Sequence, residues 1–371
     1  MSSYARAEIV FRVDASLKIG TGHVRRCITL ADELRRRGAR CRFITRAHPG
    51  HLRRDIEGEG FEVLSLPASG EATAPWSDGD PIYAGWLGAD WLTDAQETQR
   101  VLQGSRPNWM VVDHYALDAR WEASVRSSTD SLMVIDDLAN RVHDCDLLVD
   151  VSLGRKCEDY GPWMTRECRR LLGTAYALLR PEFAGLRQRS LDRRREPALQ
   201  HVLVAMGGVD QPNATGSVLT ALEARGLEDL EVTVVLGAHA PWLEQVREQA
   251  ADMKLPTRLL IDTRDMASLL CESDLAIGAA GVSALERCCL GVPSLLVVLA
   301  ENQRNGACML QGAGAACLLG DSRDASQRVG GELDRLRADV GELARLSRNA
   351  REIVDGHGAS RVAQEMLLSH A

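Results

Sequence analysis

The chain has 371 residues, with 44 lysine plus arginine against 52 aspartate plus glutamate residues, and its formal net charge is −8. This length predicts two domains, and 45% hydrophobic with 26% charged residues is the balance of an ordinary globular protein. The composition excludes a disordered chain, a collagen-like chain and a small disulfide-stabilised domain. The negative charge argues against general affinity for nucleic acid or anionic membranes, so neither is expected as a partner.

The ten cysteines predict neither a disulfide framework nor a zinc site. They include no C-x-x-C pair and no cysteine–histidine cluster at zinc spacing. The first eight residues hold no apolar stretch typical of a signal peptide. No run of about 18 uncharged apolar residues occurs either. The sequence therefore predicts a cytoplasmic protein with free thiols and no membrane insertion.

The first half of the chain alternates short, β-rich apolar runs with helical periods. The clearest predicted helix runs from His23 to Arg37, and its apolar stripe ends at Gly38. The strands predicted here are Ile9–Val13, Cys41–Ile44, Glu62–Leu66, Trp109–Val112, Leu132–Ile135 and Leu147–Val149. Strands that alternate with helices indicate a parallel sheet covered on both faces. We expect an N-terminal Rossmann-like domain over residues 1–185.

A charged stretch with few apolar residues follows and predicts an interdomain linker over residues 186–200. A surface helix inside one domain is the alternative. The pattern then restarts and predicts a C-terminal Rossmann-like domain over residues 201–355. Its predicted strands are His201–Ala205, Glu231–Leu236, Arg258–Ile261, Leu275–Ile277 and Ser294–Val298. Residues 325–370 predict two or three helices, and the C-terminal helix over residues 356–371 could cross back to the first domain.

Three glycine-bearing loops lie where predicted strands pass into helices. They are Gly20-Thr21-Gly22, Met206-Gly207-Gly208 and the loop from Gly278 to Ser283. Glycine lets the backbone approach a ligand closely, and free N–H groups where a helix begins favour an anion. None of the loops has the Walker or the dinucleotide-binding pattern. Three such loops, in two domains that imply a cleft at the carboxyl ends of their strands, favour a phosphate-bearing ligand over a purely steric use of glycine.

His23 is the sharpest candidate for catalysis, because it follows Gly22 where a helix begins beside the predicted strand ends. An imidazole there could act as a general base near neutral pH, and a helix-capping histidine is the equal alternative. Asp113-His114-Tyr115 ends another strand. This segment has two possible interpretations. It could contain a catalytic histidine–aspartate pair, or it could be a loop that caps the next helix at Asp118. Asp136-Asp137 could hold a metal, but adjacent residues favour a turn.

Nine short motifs follow one another along the chain in a distinctive order. They are Phe11–Asp14, Gly20–Cys27, Trp86–Gly88, Val112–Tyr115, Ile135–Asp137, Ala177–Phe183, Met206–Asp210, Gly281–Glu286 and Glu301–Gln303. In this order they resemble the UDP-2,4-diacetamido-2,4,6-trideoxy-β-L-altropyranose hydrolases of pseudaminic acid biosynthesis. The resemblance implies the GT-B fold, an α/β architecture of two Rossmann-like domains with parallel sheets facing across a cleft, and C-terminal helices. It also implies a role in making glycans of flagellin or of the cell surface.

The resemblance further implies roles for single residues. It implies His23 as the catalytic base and Glu286 as the residue that holds the ribose hydroxyls. The other substrate-binding positions that it implies are Asp14, Gly20, Gly22, Tyr115, Gly207, Gly208, Gly281, Val282, Ser283, Asn302 and Gln303. Among these, Asp14 and Tyr115 would lie on the sugar side, and residues 281–283 would hold UDP.

The implied reaction is attack of water on the anomeric carbon of a UDP-linked diacetamido sugar, which gives the free sugar and UDP with inversion. A diphosphate is already a good leaving group, so no acid to protonate it, no metal and no cofactor are expected. A GT-B glycosyltransferase, a hydrolysing UDP-sugar epimerase and a nucleotide-sugar-binding protein without catalysis stay open as alternatives. Arg12 and Arg25 are the arginines expected to contact a ligand. The sequence does not indicate which proteins, if any, are partners.

Overall fold

The computed structural model describes residues 7–68, 79–226 and 229–368. Contacts between residues divide the chain into two compact units, Met1–Leu178 with His357–Ala371, and Leu179–Gly356. Residues 1–6, on which the expectation about a signal peptide partly rests, lie outside the described residues. Residues 369–371, at the end of the predicted C-terminal helix, do so too. Within the described ranges, no helix combines the length and the apolar character that a membrane crossing needs.

The first unit is built on a sheet of seven parallel strands. These are β1 (Glu8–Val13), β2 (Arg40–Arg46), β3 (Glu62–Leu66), β4 (Trp109–Asp113), β5 (Ser131–Ile135), β6 (Leu147–Asp150) and β7 (Arg169–Leu172). Their order across the sheet is β3-β2-β1-β4-β5-β6-β7. The central strands are buried along almost their whole length, which is why they read as continuous apolar runs.

The second unit is built on a sheet of six parallel strands. These are β8 (His201–Ala205), β9 (Glu231–Leu236), β10 (Thr257–Ile261), β11 (Leu275–Ala279), β12 (Ser294–Val298) and β13 (Cys317–Asp321). Their order is β10-β9-β8-β11-β12-β13. The strand order reverses beside β1 in the first sheet and beside β8 in the second. Both units are therefore Rossmann-like, and the predicted fold class is confirmed at this level.

Thirteen α-helices cover the two sheets in the described part of the chain. They are α1 (Gly22–Arg36), α2 (Arg53–Gly58), α3 (Trp91–Leu102), α4 (Ala119–Val125), α5 (Pro181–Arg193), α6 (Ala214–Glu223), α7 (Leu243–Asp252), α8 (Met266–Glu272), α9 (Ser283–Cys289), α10 (Arg304–Gly312), α11 (Ser322–Ala338), α12 (Val340–Arg351) and α13 (Gly358–Leu368). Short 3₁₀ helices lie at Ala84–Trp86, Arg126–Ser128, Cys157–Trp163, Thr174–Tyr176 and Glu301–Gln303.

The structure places the boundaries between the units differently from the sequence prediction. Most of the stretch predicted as a linker belongs to α5, which is part of the second unit. The hydroxyl of Ser190 donates to the carbonyl of Leu290 (2.7 Å), and Arg187 donates to the carbonyl of Val354 (2.9 Å). These polar side chains are thus anchored on backbone carbonyls instead of solvated. The last helix, α13, belongs to the first unit, where the indole of Trp109 donates to the carbonyl of Met366 (3.0 Å).

Candidate active site

The loops after β1 and β4 meet where the strand order of the first sheet reverses. The two strands pair in parallel, with Val13 opposite Asp113. His23 is the second residue of α1, the helix that follows β1. In sheets of this type ligands bind at the carboxyl ends of the strands at such a reversal. The predicted base therefore lies at the expected position within its own unit.

His23 is bound to a buried carboxylate. Its Nδ1 lies 2.5 Å from Oδ1 of Asp113, and the Asp113 side chain has no exposed surface. Arg26, one turn further along α1, donates to both oxygens of the same carboxylate at 2.6 Å. Burial alone would raise the pKa of Asp113, but the charge of Arg26 and the hydrogen bonds from Arg26 and His23 hold it well below its usual range. Asp113 is therefore an anion in the folded protein.

This geometry fixes the orientation and the tautomer of the imidazole. An ionised carboxylate accepts hydrogen bonds only, so Nδ1 of His23 carries the proton directed at Asp113. Nε2 of His23 makes no hydrogen bond to any described residue, and it is not among the buried atoms that lack a partner. In the neutral imidazole with this tautomer, the lone pair lies on Nε2, where a water or a substrate can reach it. Of the two interpretations left open by the sequence, this arrangement suits a general base better than a helix cap.

A second carboxylate extends the network beside His23. Arg26 also donates to Asp137 (2.9 Å), and the hydroxyl of Tyr115 donates to the other oxygen of Asp137. Burial, together with the charge of Asp137, raises the pKa of Tyr115 well above its usual value, so the phenol stays protonated. The rings of Tyr115 and His23 meet edge to face, with centroids 4.5 Å apart. The structure thus brings Tyr115 next to His23.

An aromatic surface adjoins this network. Tyr83 and Trp86 lie at the short helix Ala84–Trp86, and their ring centroids are 4.5 Å apart. The ring centroid of Tyr115 lies 5.5 Å from that of Tyr83 and 5.9 Å from that of Trp86. Aromatic faces of this kind pack against apolar groups of a ligand. Tyr83 was not predicted from the sequence, because nothing local links it to a histidine 60 positions earlier.

Asp14 was expected to contact the sugar directly. In the structure it is buried and contacts other side chains instead. Its side chain has no exposed surface and pairs with Arg12 at 2.7 Å. Its other oxygen lies 3.3 Å from Nε2 of His114 and 3.5 Å from Nε2 of His48. Arg12 is equally buried and also binds Asp94. Neither Asp14 nor Arg12 can touch a ligand in this arrangement.

Three further predicted residues, Gly20, Gly22 and Arg25, lie in or directly after the loop that follows β1. Gly20 has a φ of +80°, a conformation that favours glycine, and its N–H donates to the carbonyl of Ser16 (2.8 Å). Gly22 is exposed and begins α1, with open space around its Cα. Arg25 is half exposed and pairs with Asp55 at 2.9 Å. Its expected contact with a ligand stays a prediction.

Asp136 and Asp137 do not converge on one point. The side chain of Asp136 turns to Arg141 (2.5 Å) and to the hydroxyl of Tyr160 (2.8 Å), while Asp137 turns to Arg26. No group of three metal-ligating side chains occurs among the residues that the structure describes. Asp136 instead holds the next loop, because it also accepts from the N–H of Ala139 (2.9 Å).

A buried histidine behind this loop gives a testable pH dependence. His143 lies between Glu122 (2.7 Å) and Asp136 (3.8 Å), and all three side chains are fully buried. Burial alone would lower the pKa of His143, but the two carboxylates raise it to about 9. Its contribution to stability, up to about 3 kcal/mol, is thus complete below pH ~6.5 and is lost as the pH rises through ~9.

We expect the unfolding midpoint of His143→Gln to lie well below that of the unaltered protein at pH 6.5, and the two to converge towards pH 9.5. Thermal unfolding followed by circular dichroism across this range measures the difference. His51→Gln, at an exposed histidine of the same unit, should leave the midpoint unchanged throughout. A difference for His143→Gln that is constant with pH would show that the imidazole is neutral in the folded state.

The second unit has an equivalent arrangement at β8 and β11, which pair in parallel where its strand order reverses. After β8, Gly207 is exposed and has a φ of +90°, and the carbonyl of Gly208 contacts Gly237 so closely that a side chain would not fit there. After β11, the N–H groups of residues 281–283 donate no hydrogen bond within the described part of the chain. They are available to an anionic ligand.

Three further predicted residues lie around this second loop. Oε1 of Gln303 accepts from the N–H of Leu299 (3.0 Å), and its Nε2 lies 3.5 Å from where a side chain on Gly281 would begin. Asn302 precedes it in the short helix Glu301–Gln303 and is half-buried. Glu286 lies one turn along α9 from Ser283. Burial raises the pKa of Glu286 to about 6, with Arg180 opposing the shift.

Comparison with known proteins gives matches along most of the chain. Residues 201–366 match the model of the glycosyltransferase family 28 C-terminal domain. The protein MJ1062 of Methanocaldococcus jannaschii is 23% identical over 81% of this chain and 57% of its own length. The spore coat polysaccharide biosynthesis protein SpsG of Bacillus subtilis is 30% identical over 51% of this chain and 56% of its own. The chain thus spans little more than half of these two relatives.

A third relative bears out the resemblance noted in the motifs. The UDP-2,4-diacetamido-2,4,6-trideoxy-β-L-altropyranose hydrolase of Campylobacter jejuni is 22% identical over 82% of this chain and 96% of its own length. Among solved structures, MurG of Acinetobacter baumannii superposes with a TM-score of 0.67 at 14% identity, covering 97% of this chain and 99% of its own. This chain accordingly has the GT-B fold, and its residues 201–366, most of which belong to the second unit, match the C-terminal domain of glycosyltransferase family 28.

Proposed function

We propose that this protein hydrolyses the anomeric C–O bond of UDP-2,4-diacetamido-2,4,6-trideoxy-β-L-altropyranose, giving the free sugar and UDP with inversion, as a step in pseudaminic acid biosynthesis. The observation that carries the proposal is the pairing of His23 with a buried, ionised Asp113 that leaves Nε2 open. The match to the Campylobacter jejuni hydrolase supports the substrate class.

In the proposed reaction Nε2 of His23 accepts a proton from water while the water oxygen attacks the anomeric carbon. The C–O bond to the diphosphate breaks, and its electron pair leaves on the β-phosphate oxygen of UDP. Asp113 and Arg26 keep the imidazole in the tautomer that can accept this proton. The aromatic surface of Tyr83, Trp86 and Tyr115 would pack against the methyl and acetamido groups of the sugar.

The second unit would bind UDP. Its free N–H groups at residues 281–283 can stabilise the charge that develops on the departing diphosphate. Gly207 and Gly208 would let the backbone approach the ligand, and Glu286 would accept hydrogen bonds from the ribose hydroxyls. Asn302 and Gln303 would complete the loop on the phosphate or sugar side.

Glu286 gives the nucleotide part of the proposal a test of its own. Its carboxylate, with a pKa raised to about 6, accepts two hydroxyl protons only when it is ionised. We expect the affinity for uridine, which carries no phosphate, to fall by up to about tenfold per pH unit below pH 6. In Glu286→Gln this dependence should disappear, whereas it should persist in Glu244→Gln, which alters an exposed acid of α7. Equal pH profiles for all three proteins would remove Glu286 from the ribose site.

The activity itself is tested by incubating the protein with a panel of UDP-linked amino sugars and no added acceptor. Release of UDP shows turnover, and proton NMR of the first sugar product shows its anomeric configuration. We expect fast turnover of the diacetamido-altropyranose donor with an inverted product. Failure to release UDP from any donor would overturn the proposal.

A glycosyltransferase is the second candidate, because residues 201–366 match a glycosyltransferase domain. Hydrolysis and transfer need the same base and the same nucleotide loop, so they differ in what attacks the anomeric carbon. UDP release that requires a sugar acceptor would favour the transferase. Release at full rate in its absence favours the hydrolase.

A further inference from the structure

Arg287 is a buried cation without a carboxylate partner, directly behind the glycine loop of the second unit. It lies on α9 and is 3% exposed. Its Nη2 donates to the carbonyl of Ala279 (2.6 Å) and its Nη1 to the hydroxyl of Ser283 (3.4 Å). Its Nε is buried and has no hydrogen-bond partner. Within the described ranges this guanidinium makes no ion pair, and the one carboxylate whose charge acts on it is that of the preceding residue, Glu286.

Burial of such a charge is costly unless something compensates it. The cost is visible in the pKa of Arg287, which burial lowers to about 10, so the side chain still carries its charge at neutral pH. Arg194 is a half-buried arginine of the same unit, and burial lowers its pKa likewise to about 10. Its guanidinium donates to the carbonyls of Leu270 (2.9 Å) and Ser273 (2.7 Å) at the end of α8, where a cation is favoured. Arg287 has no equivalent set of carbonyls.

The surroundings direct the charge of Arg287 towards the loop. A side chain on Gly278 would begin 2.7 Å from Nη1 of Arg287 and 2.5 Å from the carbonyl oxygen of Ala205. Only a glycine thus lets the guanidinium lie against the end of β11, from which the loop departs. Because Ser283 accepts a hydrogen bond from Arg287, its own hydroxyl proton is free to be donated elsewhere.

We propose that Arg287 is a specificity-determining residue that supplies a fixed positive charge behind the loop and thereby selects a nucleoside diphosphate over the bare nucleoside. This inference rests on the proposed function, because it takes the loop after β11 as the nucleotide site. The charge acts without touching the ligand, since a protein interior screens charges far less than water does. Arg287 also orients the hydroxyl of Ser283, which lies at the loop itself.

The inference is tested by calorimetric titration of UDP and, by displacement of UDP, of uridine. The proteins compared are the unaltered protein, Arg287→Met, Arg287→Lys and the matched control Arg194→Met. In Arg287→Met we expect the ratio of UDP to uridine affinity to fall about 10- to 50-fold, the effect of one charge at a few ångströms in a weakly screening interior. Arg287→Lys should restore most of this ratio, and Arg194→Met should leave it unchanged.

The outcomes separate this inference from the proposed function. An unaltered protein that binds no UDP would overturn both. An unaltered protein that binds UDP, with the same ratio in Arg287→Met, would overturn the role of Arg287 alone. Equal weakening of UDP and uridine in Arg287→Met would also overturn it, because a residue that only supports the fold weakens both ligands alike.

Discussion

Replacing His23 by asparagine should slow turnover by orders of magnitude and leave UDP binding intact. The amide N–H₂ of asparagine can reach the position of Nδ1 and keep the hydrogen bond to Asp113, but no atom replaces Nε2. The variant thus loses only the group that would accept the proton from water. We expect kcat to fall about 10²- to 10⁴-fold, the usual contribution of a general base, with the dissociation constant of UDP unchanged within about twofold.

The measurement is UDP release from the diacetamido-altropyranose donor under single-turnover conditions, which excludes product release as the limiting step. His51→Asn is the matched control, because His51 belongs to the same unit and is exposed. Hydrolysis by His23→Asn at the rate of the unaltered protein would remove His23 from the mechanism. A loss of UDP binding together with activity would show that His23 acts in binding or folding.

The central strands of both sheets could be predicted from the sequence to within one or two residues. They are buried on both faces, so each reads as a continuous apolar run. Two of the four edge strands, β7 and β13, were missed for the opposite reason. β7 begins with Arg169 and Arg170, and both strands are short and partly exposed, so they lack the apolar run by which a parallel strand is recognised.

The same distinction holds for the candidate site. Residues marked by their sequence neighbours could be predicted, and residues that depend on contacts between distant parts of the chain could not. His23 could be predicted because a glycine loop, a histidine and a helix follow one another in the sequence. Arg26 could not, because it is one arginine among many, and its partners Asp113 and Asp137 lie 87 and 111 positions further along the chain. Asp14 was expected to touch the sugar, but the burial of its partners, which only the packing reveals, places it behind the site.

The pairing of Asp113 with both Arg26 and His23 leads to the second large effect. Asp113→Asn keeps the size of the side chain but offers one accepting oxygen in place of two. If that oxygen stays on Arg26, the amide N–H₂ faces Nδ1 of His23 and forces the proton onto Nε2, where no proton can be accepted. We expect kcat to fall about 10³- to 10⁴-fold, the size found when an orienting aspartate becomes asparagine in a histidine-base enzyme.

Stability must be measured beside activity, because the same substitution weakens a buried ion pair with Arg26. Breaking such a pair costs about 3–5 kcal/mol when one charge is left alone, but here Asp137 remains as a partner of Arg26 and should reduce the loss. Asp94→Asn is the matched control, since Asp94 is equally buried and binds Arg12 and Arg46 instead of His23. We expect both variants to lower the unfolding midpoint, and only Asp113→Asn to lose turnover while it still binds UDP. If the two variants lost activity in proportion to stability, Asp113 would be a residue of the fold alone, and the tautomer of His23 would not depend on it.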